Sequence, residues 1–221
     1  EELKNNYELL KYEAGQPISK ESIIPNKISI ILKGEVRLIH ETNSYRSTIA
    51  KLGPYSFIGL ASLLNTKGCE YINASSEVVT LAIPDTIILN LYKKDEKFRK
   101  WCDSNIFIAE IYQISKNILN KAPRSTLKVE DIVKDLNGNL GFEVIKNQYK
   151  INDANDSISI AGSSNIINAQ SGDILANEST IEIEGFLPGR IFLIKKSVYE
   201  TITFSTQRII NTNENEVNLD E

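Results

Sequence analysis

The stretch that decides the fold of this chain is Leu52-Gly53-Pro54-Tyr55-Ser56-Phe57-Ile58-Gly59. An apolar strand ends at the Gly53-Pro54 break, and two apolar residues then lead into Gly59. The earlier stretch Ile31-Leu32-Lys33-Gly34-Glu35-Val36-Arg37-Leu38 has a similar rhythm, with an apolar run on each side of a glycine. Because glycine permits a tight reversal, we expect the strands on the two sides of Gly34 to form a β-hairpin.

The pattern around these stretches predicts a β unit followed by helices. Short apolar runs separated by turn residues extend from Tyr7 to Pro84, which is typical of a compact all-β unit. After Pro84 the apolar spacing becomes helical, and Asp85 stands where a helix N-cap is expected. The helical pattern continues from Phe98 to Leu119, and its apolar stripe from Ile108 to Leu119 needs a partner surface. That surface is either the β unit itself or a second copy of the chain, as a homodimer.

The polar segment Lys121–Ser125 contains a proline after a helix and marks the best boundary. We therefore predict a first unit over residues 1–120, a small β-rich unit over 125–204, and a disordered tail or linker over 205–221, which has few apolar residues. A faint echo of the first unit near Gly172 suggests a truncated second copy of it. The predicted elements of the second unit are a helix Val129–Leu136 and strands Phe142–Ile145, Ser157–Ala161, Ile181–Glu184 and Arg190–Ile194.

Composition excludes several classes of function. The chain has 221 residues with 25 basic and 29 acidic side chains. With a formal charge of −4, it has no general electrostatic attraction to nucleic acid or to anionic lipid. No apolar run approaches the ~20 residues that cross a bilayer. Two cysteines and one histidine are too few for a disulfide framework or a metal site, which fits a reducing cytoplasm. Since methionine is absent altogether, we expect a fragment of a longer chain or a sequence from which modified methionines are missing.

No motif for catalysis is present. The sequence has no GxSxG elbow, no phosphate-binding GxxxxGK[ST] loop, and no cysteine paired with a plausible histidine. We therefore expect a protein that is not an enzyme and that carries no cofactor and no metal.

Three glycine-containing stretches resemble the cyclic-nucleotide-binding family: residues 12–18, 31–38 and 52–59. The likeness extends over roughly Tyr7 to Asn120. It implies a mainly β fold, a cyclic-nucleotide-binding-type β-roll with C-terminal helices, here followed by the smaller β-rich unit. In that family a short helix and loop hold the cyclic phosphate with backbone N–H groups, a glutamate binds the ribose and an arginine pairs with the phosphate.

Both charged anchors of that family are missing here. The matching segment runs from Phe57 to Tyr71 and keeps the glycine, as Gly59. Leu60 stands at the glutamate position, and Gly68 or Cys69 stands at the arginine position. Lys67 is the nearest cation, a point charge that replaces an arginine fork only in part. We therefore expect no ordinary binding of cyclic AMP, and the candidate ligand-binding residues for another small molecule are Gly59, Leu60, Ser62, Lys67, Cys69, Glu70 and Tyr71.

Single residues of this region have ordinary structural interpretations beside functional ones. Cys69 is a reactive thiol or, with better support, a small buried apolar side chain. Glu70 replaces the ribose ligand or, as we expect, is a solvated turn residue. His40 is expected to be exposed or capped, and Trp101 to anchor helix packing rather than to bind a ligand.

The resulting hypothesis is a non-catalytic regulatory or ligand-sensing domain with a degenerate cyclic-nucleotide site. The combination of Gly59-Leu60 with residues 68–71 and 74–78 is similar to the N-terminal module ahead of the peptidase and membrane domains of some bacterial ABC exporters. That likeness implies the rest of a transporter chain as partner, without direct membrane contact by this part. A docking or dimerisation module is the alternative. A transcription regulator has less support, because residues 125–204 lack a helix-turn-helix pattern.

Overall fold

The computed structural model describes residues 6–122, 125–152 and 156–204. Strands and helices of the first half follow the predicted order. The predicted tail, 205–221, lies outside the described residues. The strands of the first half are β1 (Glu8–Tyr12), β2 (Pro17–Ser19), β3 (Lys27–Lys33), β4 (Val36–Glu41), β5 (Arg46–Leu52), β6 (Phe57–Ile58), β7 (Ile72–Ala74) and β8 (Val78–Pro84), with the short helix α1 (Leu60–Leu64) between β6 and β7.

These strands form two four-stranded sheets, in the orders β1-β8-β3-β6 and β2-β7-β4-β5. All pairings are antiparallel. Apolar residues of both sheets, among them Ile31, Leu38 and Ile72, have no exposed surface and fill the space between them. The predicted mainly β roll is therefore confirmed.

The predicted hairpin at Gly34 is wrong. β3 pairs with β6 and β8, whereas β4 pairs with β5 and β7, so Gly34 joins one sheet to the other. Gly34 has φ +90°, and a Cβ there would lie 2.2 Å from the Glu77 carbonyl oxygen. The sequence pattern of a glycine between two apolar strands is the same in a hairpin and in a turn that passes from one sheet to another. Which of the two forms depends on the distant strands that cover each side.

Helices follow the roll: α2 (Asp85–Lys94), α3 (Glu96–Ser104) and α4 (Ile108–Lys121). Asp85 is the first helical residue rather than the N-cap, which is Pro84. The predicted helical stretch from Phe98 is broken, because Asn105 and Phe107 have extended backbones. The apolar stripe of α4 docks within the chain, and Ile111, Tyr112 and Ile118 are at most 4% exposed. That helix therefore leaves little apolar surface for the predicted homodimer contact.

The second half contains α5 (Val129–Leu136), β9 (Gly141–Ile145), β10 (Gln148–Lys150), β11 (Ser157–Ala161), β12 (Thr180–Glu182), β13 (Gly189–Lys195) and α6 (Lys196–Phe204). Its strands form a three-stranded sheet, β11-β13-β9, and a two-stranded sheet, β10-β12. This order repeats that of the first half, where the first strand pairs with the last, the last with the third, and the second with the last but one. The repetition agrees with the predicted truncated copy of the roll.

One apolar core joins the two halves. Val36 of the first roll belongs to the same cluster of buried side chains as Ile132 of α5 and Phe192 of β13. Helix α4 lies between them and contacts α5 and α6. Among the described residues, no helix is long and apolar enough to cross a membrane.

Candidate functional site

The candidate segment, residues 57–71, connects β6 to β7 through α1. Gly59 has φ +92°, which turns the chain from β6 into the helix. A Cβ at this position would lie 2.6 Å from Cγ of Pro25 and 3.1 Å from Cδ1 of Ile28, so only glycine fits. All five residues of α1 are buried, and the helix packs into the roll rather than bordering an open space.

The two positions to which the resemblance assigns charged anchors, Leu60 and Gly68, are closely packed. Leu60 has no exposed surface and packs in an apolar cluster with Ile28 and Ile83. At Gly68 a Cβ would lie 2.4 Å from the Ile23 nitrogen and 2.5 Å from the Glu21 carbonyl oxygen. Neither position therefore aims a charged side chain toward a ligand, and at Gly68 no side chain fits at all.

Glu70 is buried, so the prediction of a solvated turn residue is wrong. Its side chain is 4% exposed, and its Oε2 accepts a hydrogen bond from Ser62 Oγ at 3.0 Å. The backbone N–H groups of Gly59 and Ser62 also act on this carboxylate and favour its charged form. Burial outweighs these bonds and raises the pKa of Glu70 to about 7. The loop thus folds around a carboxyl group of its own chain.

Ser62 links α1 to residues 69 and 70 near the end of the segment. Its Oγ donates to Glu70 and accepts from the Cys69 backbone nitrogen at 3.1 Å. Cys69 is 1% exposed, as expected for a buried apolar side chain, and burial raises the pKa of its thiol well above the usual value. A thiol held protonated and away from solvent is unreactive.

The other two candidate residues point elsewhere. Lys67 is exposed at the surface of the loop. Tyr71 is half-buried, and its hydroxyl accepts a hydrogen bond from Arg46 Nη2 at 3.4 Å, with the guanidinium 5.5 Å from the ring centre. The structure therefore brings Gly59, Ser62, Cys69 and Glu70 together in the interior. Leu60 is buried in a different apolar cluster, and Lys67 and Tyr71 lie outside the group.

His40 is buried, contrary to expectation. It is 6% exposed, and its Nδ1 lies 3.0 Å from the Tyr112 hydroxyl, which connects β4 to α4. Burial lowers the pKa of His40 and favours the neutral ring. Within the described parts of the chain, no group of three or more histidine, cysteine or acidic side chains is arranged to hold a metal ion.

Trp101 packs the first residue of the segment against the helices. Its ring centre lies 5.3 Å from that of Phe57, 6.1 Å from Phe98 and 5.8 Å from Phe107. These contacts agree with the predicted helix-packing role of Trp101, which is 39% exposed. A displacement of Phe57 would therefore move Trp101 and, with it, helix α3.

Sequence reasoning missed a buried ion pair between the halves. Arg190 on β13 and Glu110 on α4 have 1% and 0% exposed side chains, and Arg190 Nε lies 2.6 Å from Glu110 Oε1. Glu110 also receives a hydrogen bond from Asn65, the residue that ends α1. One signal was available, since Arg190 is the only charged residue between Gly189 and Ile194, and a buried charge requires a partner.

Comparison with known proteins finds a family model that matches the first half of the chain. Residues 9–95 match the family model described as cyclic nucleotide-binding domain. A cyclic nucleotide-binding-like protein from Brucella abortus has 26% identity, covering 40% of this chain and 77% of that one, with a TM-score of 0.36. A transcriptional regulator from Thermotoga maritima has 16% identity over 46% of this chain and 81% of that one, with a TM-score of 0.41.

A third similar structure extends over both halves. The regulatory domain of a Toxoplasma gondii protein kinase with cAMP has 12% identity, covering 90% of this chain and 82% of that one, with a TM-score of 0.40. No curated protein matches the chain. The match at 9–95 runs from β1 through α2, so the first roll of this chain is similar to a cyclic nucleotide-binding domain.

Proposed function

We propose that this chain is a non-catalytic regulatory module whose cyclic-nucleotide site is occupied by its own Glu70. The observation that carries the proposal is the buried Glu70 carboxyl group, held by the Ser62 hydroxyl and facing backbone N–H groups at the start of α1. In the family that the first roll resembles, backbone N–H groups of this loop hold the cyclic phosphate. Here a carboxyl group of the chain meets them instead.

A cyclic nucleotide would meet three obstacles. Its phosphate would have to displace Glu70, and the ionised carboxylate repels a second anion in a buried site. Leu60 offers no acceptor for a ribose hydroxyl, and Gly68 has no room for a guanidinium. Each lost charge-assisted hydrogen bond costs about 1.5–3 kcal/mol, so losing both weakens binding by several powers of ten.

The output of the module would pass through the helices after the roll. Phe57 at the start of the segment packs on Trp101 of α3, so a ligand or partner that moves the segment would move α3. In the setting of a bacterial exporter, this movement would be transmitted to the rest of the transporter chain on the cytoplasmic side. The filled site also supports the second candidate function, a docking module that uses the roll as a scaffold.

The test is calorimetric titration of the full chain with cyclic AMP and cyclic GMP, with Trp101 fluorescence as an independent readout because it is the only tryptophan. We expect no saturable heat and no fluorescence change at about 1 mM nucleotide, where weak sites are still detected. Micromolar binding to the unaltered protein would overturn the proposal. Glu70→Ala, with Glu13→Ala as an exposed control, shows whether removing the carboxylate alone restores any affinity.

A thermal-shift screen of uncharged and charged metabolites separates the two candidate functions. A compound that raises the melting temperature of the unaltered chain, but not of Ser62→Ala, supports ligand sensing through the segment. If no compound stabilises the chain and a protein partner is captured whose binding is lost in Trp101→Ala, the docking function replaces ligand sensing.

A further inference from the structure

The buried Glu110 carboxylate is the meeting point of three parts of the molecule. Its Oε1 accepts from Arg190 Nε at 2.6 Å and from Asn65 Nδ2 at 3.0 Å. Its Oε2 accepts from Arg190 Nη2 at 3.0 Å and from the Phe107 backbone nitrogen at 2.8 Å. With four donors, this carboxylate is fully paired, which is the condition for a stable buried charge.

Arg190 also holds the break between α3 and α4. Its Nη2 donates to the Asn105 carbonyl oxygen at 2.7 Å, and its Nη1 donates to that of Cys102 at 3.3 Å. Its guanidinium lies 4.8 Å from the ring centre of Phe142 on β9. A side chain from the second half therefore sets the end of α3 and the start of α4.

Asn65 joins this network to the candidate segment. It is the C-cap of α1, and its Nδ2 bonds both the Ala61 carbonyl oxygen and Glu110. Its own carbonyl oxygen accepts from the Ser164 backbone nitrogen of the second half at 2.9 Å. The end of α1 is thus held by α4 on one side and by the second half on the other.

We propose that Arg190 is a positioning residue for the segment 57–71, so that the second half acts as a built-in regulator of it. Arg190 orients Glu110, and Glu110 in turn holds Asn65 at the end of α1. A ligand or partner that displaces β13 would remove the Arg190 contacts to Glu110 and Asn105. It would thereby loosen both the segment 57–71 and the connection between α3 and α4. This inference rests on the proposed function only in taking residues 57–71 as the regulatory site.

If the ion pair only stabilised the fold, replacing both partners by apolar side chains would leave the segment 57–71 as well ordered as in the unaltered chain. Removing Arg190 alone leaves Glu110 charged and buried, which destabilises the whole fold. Replacing both partners by apolar side chains of similar size restores much of the stability in other proteins. The double variant Glu110→Leu with Arg190→Met therefore separates positioning of the segment from overall stability.

The experiment is hydrogen exchange of the full chain, followed on peptides that contain residues 60–71. We expect exchange at least about tenfold faster there in Asn65→Ala and in the double variant, because each lacks the charge-assisted bond to Asn65. The control is Ile194→Ala, which removes a fully buried apolar side chain from the same strand and leaves the hydrogen-bonding side chains of Glu110, Arg190 and Asn65 in place. Peptides are compared at denaturant concentrations that equalise global stability.

Unchanged exchange of residues 60–71 in the double variant would overturn the proposal, and so would equal acceleration in Ile194→Ala. These outcomes are independent of the nucleotide titration. Tight cyclic AMP binding would overturn the proposed function and leave the role of Arg190 intact, whereas unchanged exchange would do the reverse.

Discussion

At the scale of single residues, the Glu70 carboxyl group is buried at the start of α1, where it meets the Ser62 hydroxyl and backbone N–H groups of the loop. The bonds from Ser62 and the loop N–H groups favour its ionised form, and burial opposes it more strongly. The residue therefore remains partly protonated near neutral pH, where an exposed glutamate is fully ionised. A carboxyl group in this balance makes the stability of the chain depend on pH.

We expect Glu70 to lower the stability of the folded chain as pH rises from about 4.5 to about 7. In this window the unfolded chain has released its proton while the folded chain still holds it, so rising pH favours unfolding. The loss amounts to about 3 kcal/mol at pH 8, since one pKa unit corresponds to about 1.4 kcal/mol. Glu70→Gln, which imitates the protonated group, should remove this loss in urea unfolding measured at pH 5 and pH 8.

The informative quantity is the difference between Glu70→Gln and the unaltered chain. Burial lowers the pKa of His40, which gives a slope of opposite sign, since that contribution is lost as pH falls. Glu13→Gln serves as the exposed control. An identical pH dependence in Glu70→Gln and the unaltered chain would contradict the role assigned to burial.

At the scale of secondary-structure elements, the turn at Gly34 carries the chain from one sheet to the other. The chain leaves β3 and enters β4 with φ +90° and passes against the backbone of Glu77. Gly15 has a similar φ of +85°, but a Cβ there would meet nothing within 4 Å. These two glycines therefore separate the cost of the backbone conformation from the cost of close packing.

We expect Gly15→Ala to lower the free energy of unfolding by about 1–2 kcal/mol, the usual cost of a left-handed alanine. Gly34→Ala should cost about 1–3 kcal/mol more, because its Cβ would overlap the Glu77 carbonyl oxygen. Urea unfolding of both variants measures the difference. Equal losses would show that the contact at the sheet corner relaxes without cost.

At the scale of the whole molecule, the two halves have the same order of strands, and one apolar cluster contains buried residues from both of them. Between β11 and β12 the second half has no full strands that match β4 and β5 and no helix that matches α1. Two isolated bridges form instead, one from Ile160 to Ile174 where β3 pairs with β6 in the first half, and one from Ile166 to Ile183 where β4 pairs with β7. The shortened roll still encloses a small core of its own, with Ile145, Ile166 and Ile191 among its buried residues. Other residues of the second half, such as Phe192 and Ile194, pack in the cluster that contains α4.

We therefore expect the full chain to unfold in a single transition, with Trp101 fluorescence and circular dichroism giving the same urea midpoint. A fragment of residues 1–122 should be markedly less stable, because it leaves Glu110 without Arg190 and exposes the apolar face of α4. The predicted boundary between the units stays a prediction. A fragment as stable as the full chain would show that the first half folds independently.

The sequence by itself determined the local elements and the uncharged side chains at positions 60 and 68. The bounds of α5 (Val129–Leu136) and β11 (Ser157–Ala161) agree with the prediction to the residue, because apolar periodicity is a local property. The absence of charge at Leu60 and Gly68 is likewise fixed by the sequence, because no fold can give a charge to these two residues. Resemblance to a β-roll was visible because its turns depend on glycine at regular positions.

Only the tertiary structure decided which of these elements meet. It placed β3 and β4 in different sheets, buried Glu70 and His40, and paired Arg190 with a glutamate eighty residues earlier. Strand partners and burial depend on contacts between distant residues, and burial in turn sets the electrostatic environment of each charge. A sequence pattern carries no information about either effect, so the buried Glu70 carboxyl group and the hydrogen bonds that join Arg190, Glu110 and Asn65 became visible only in the folded molecule.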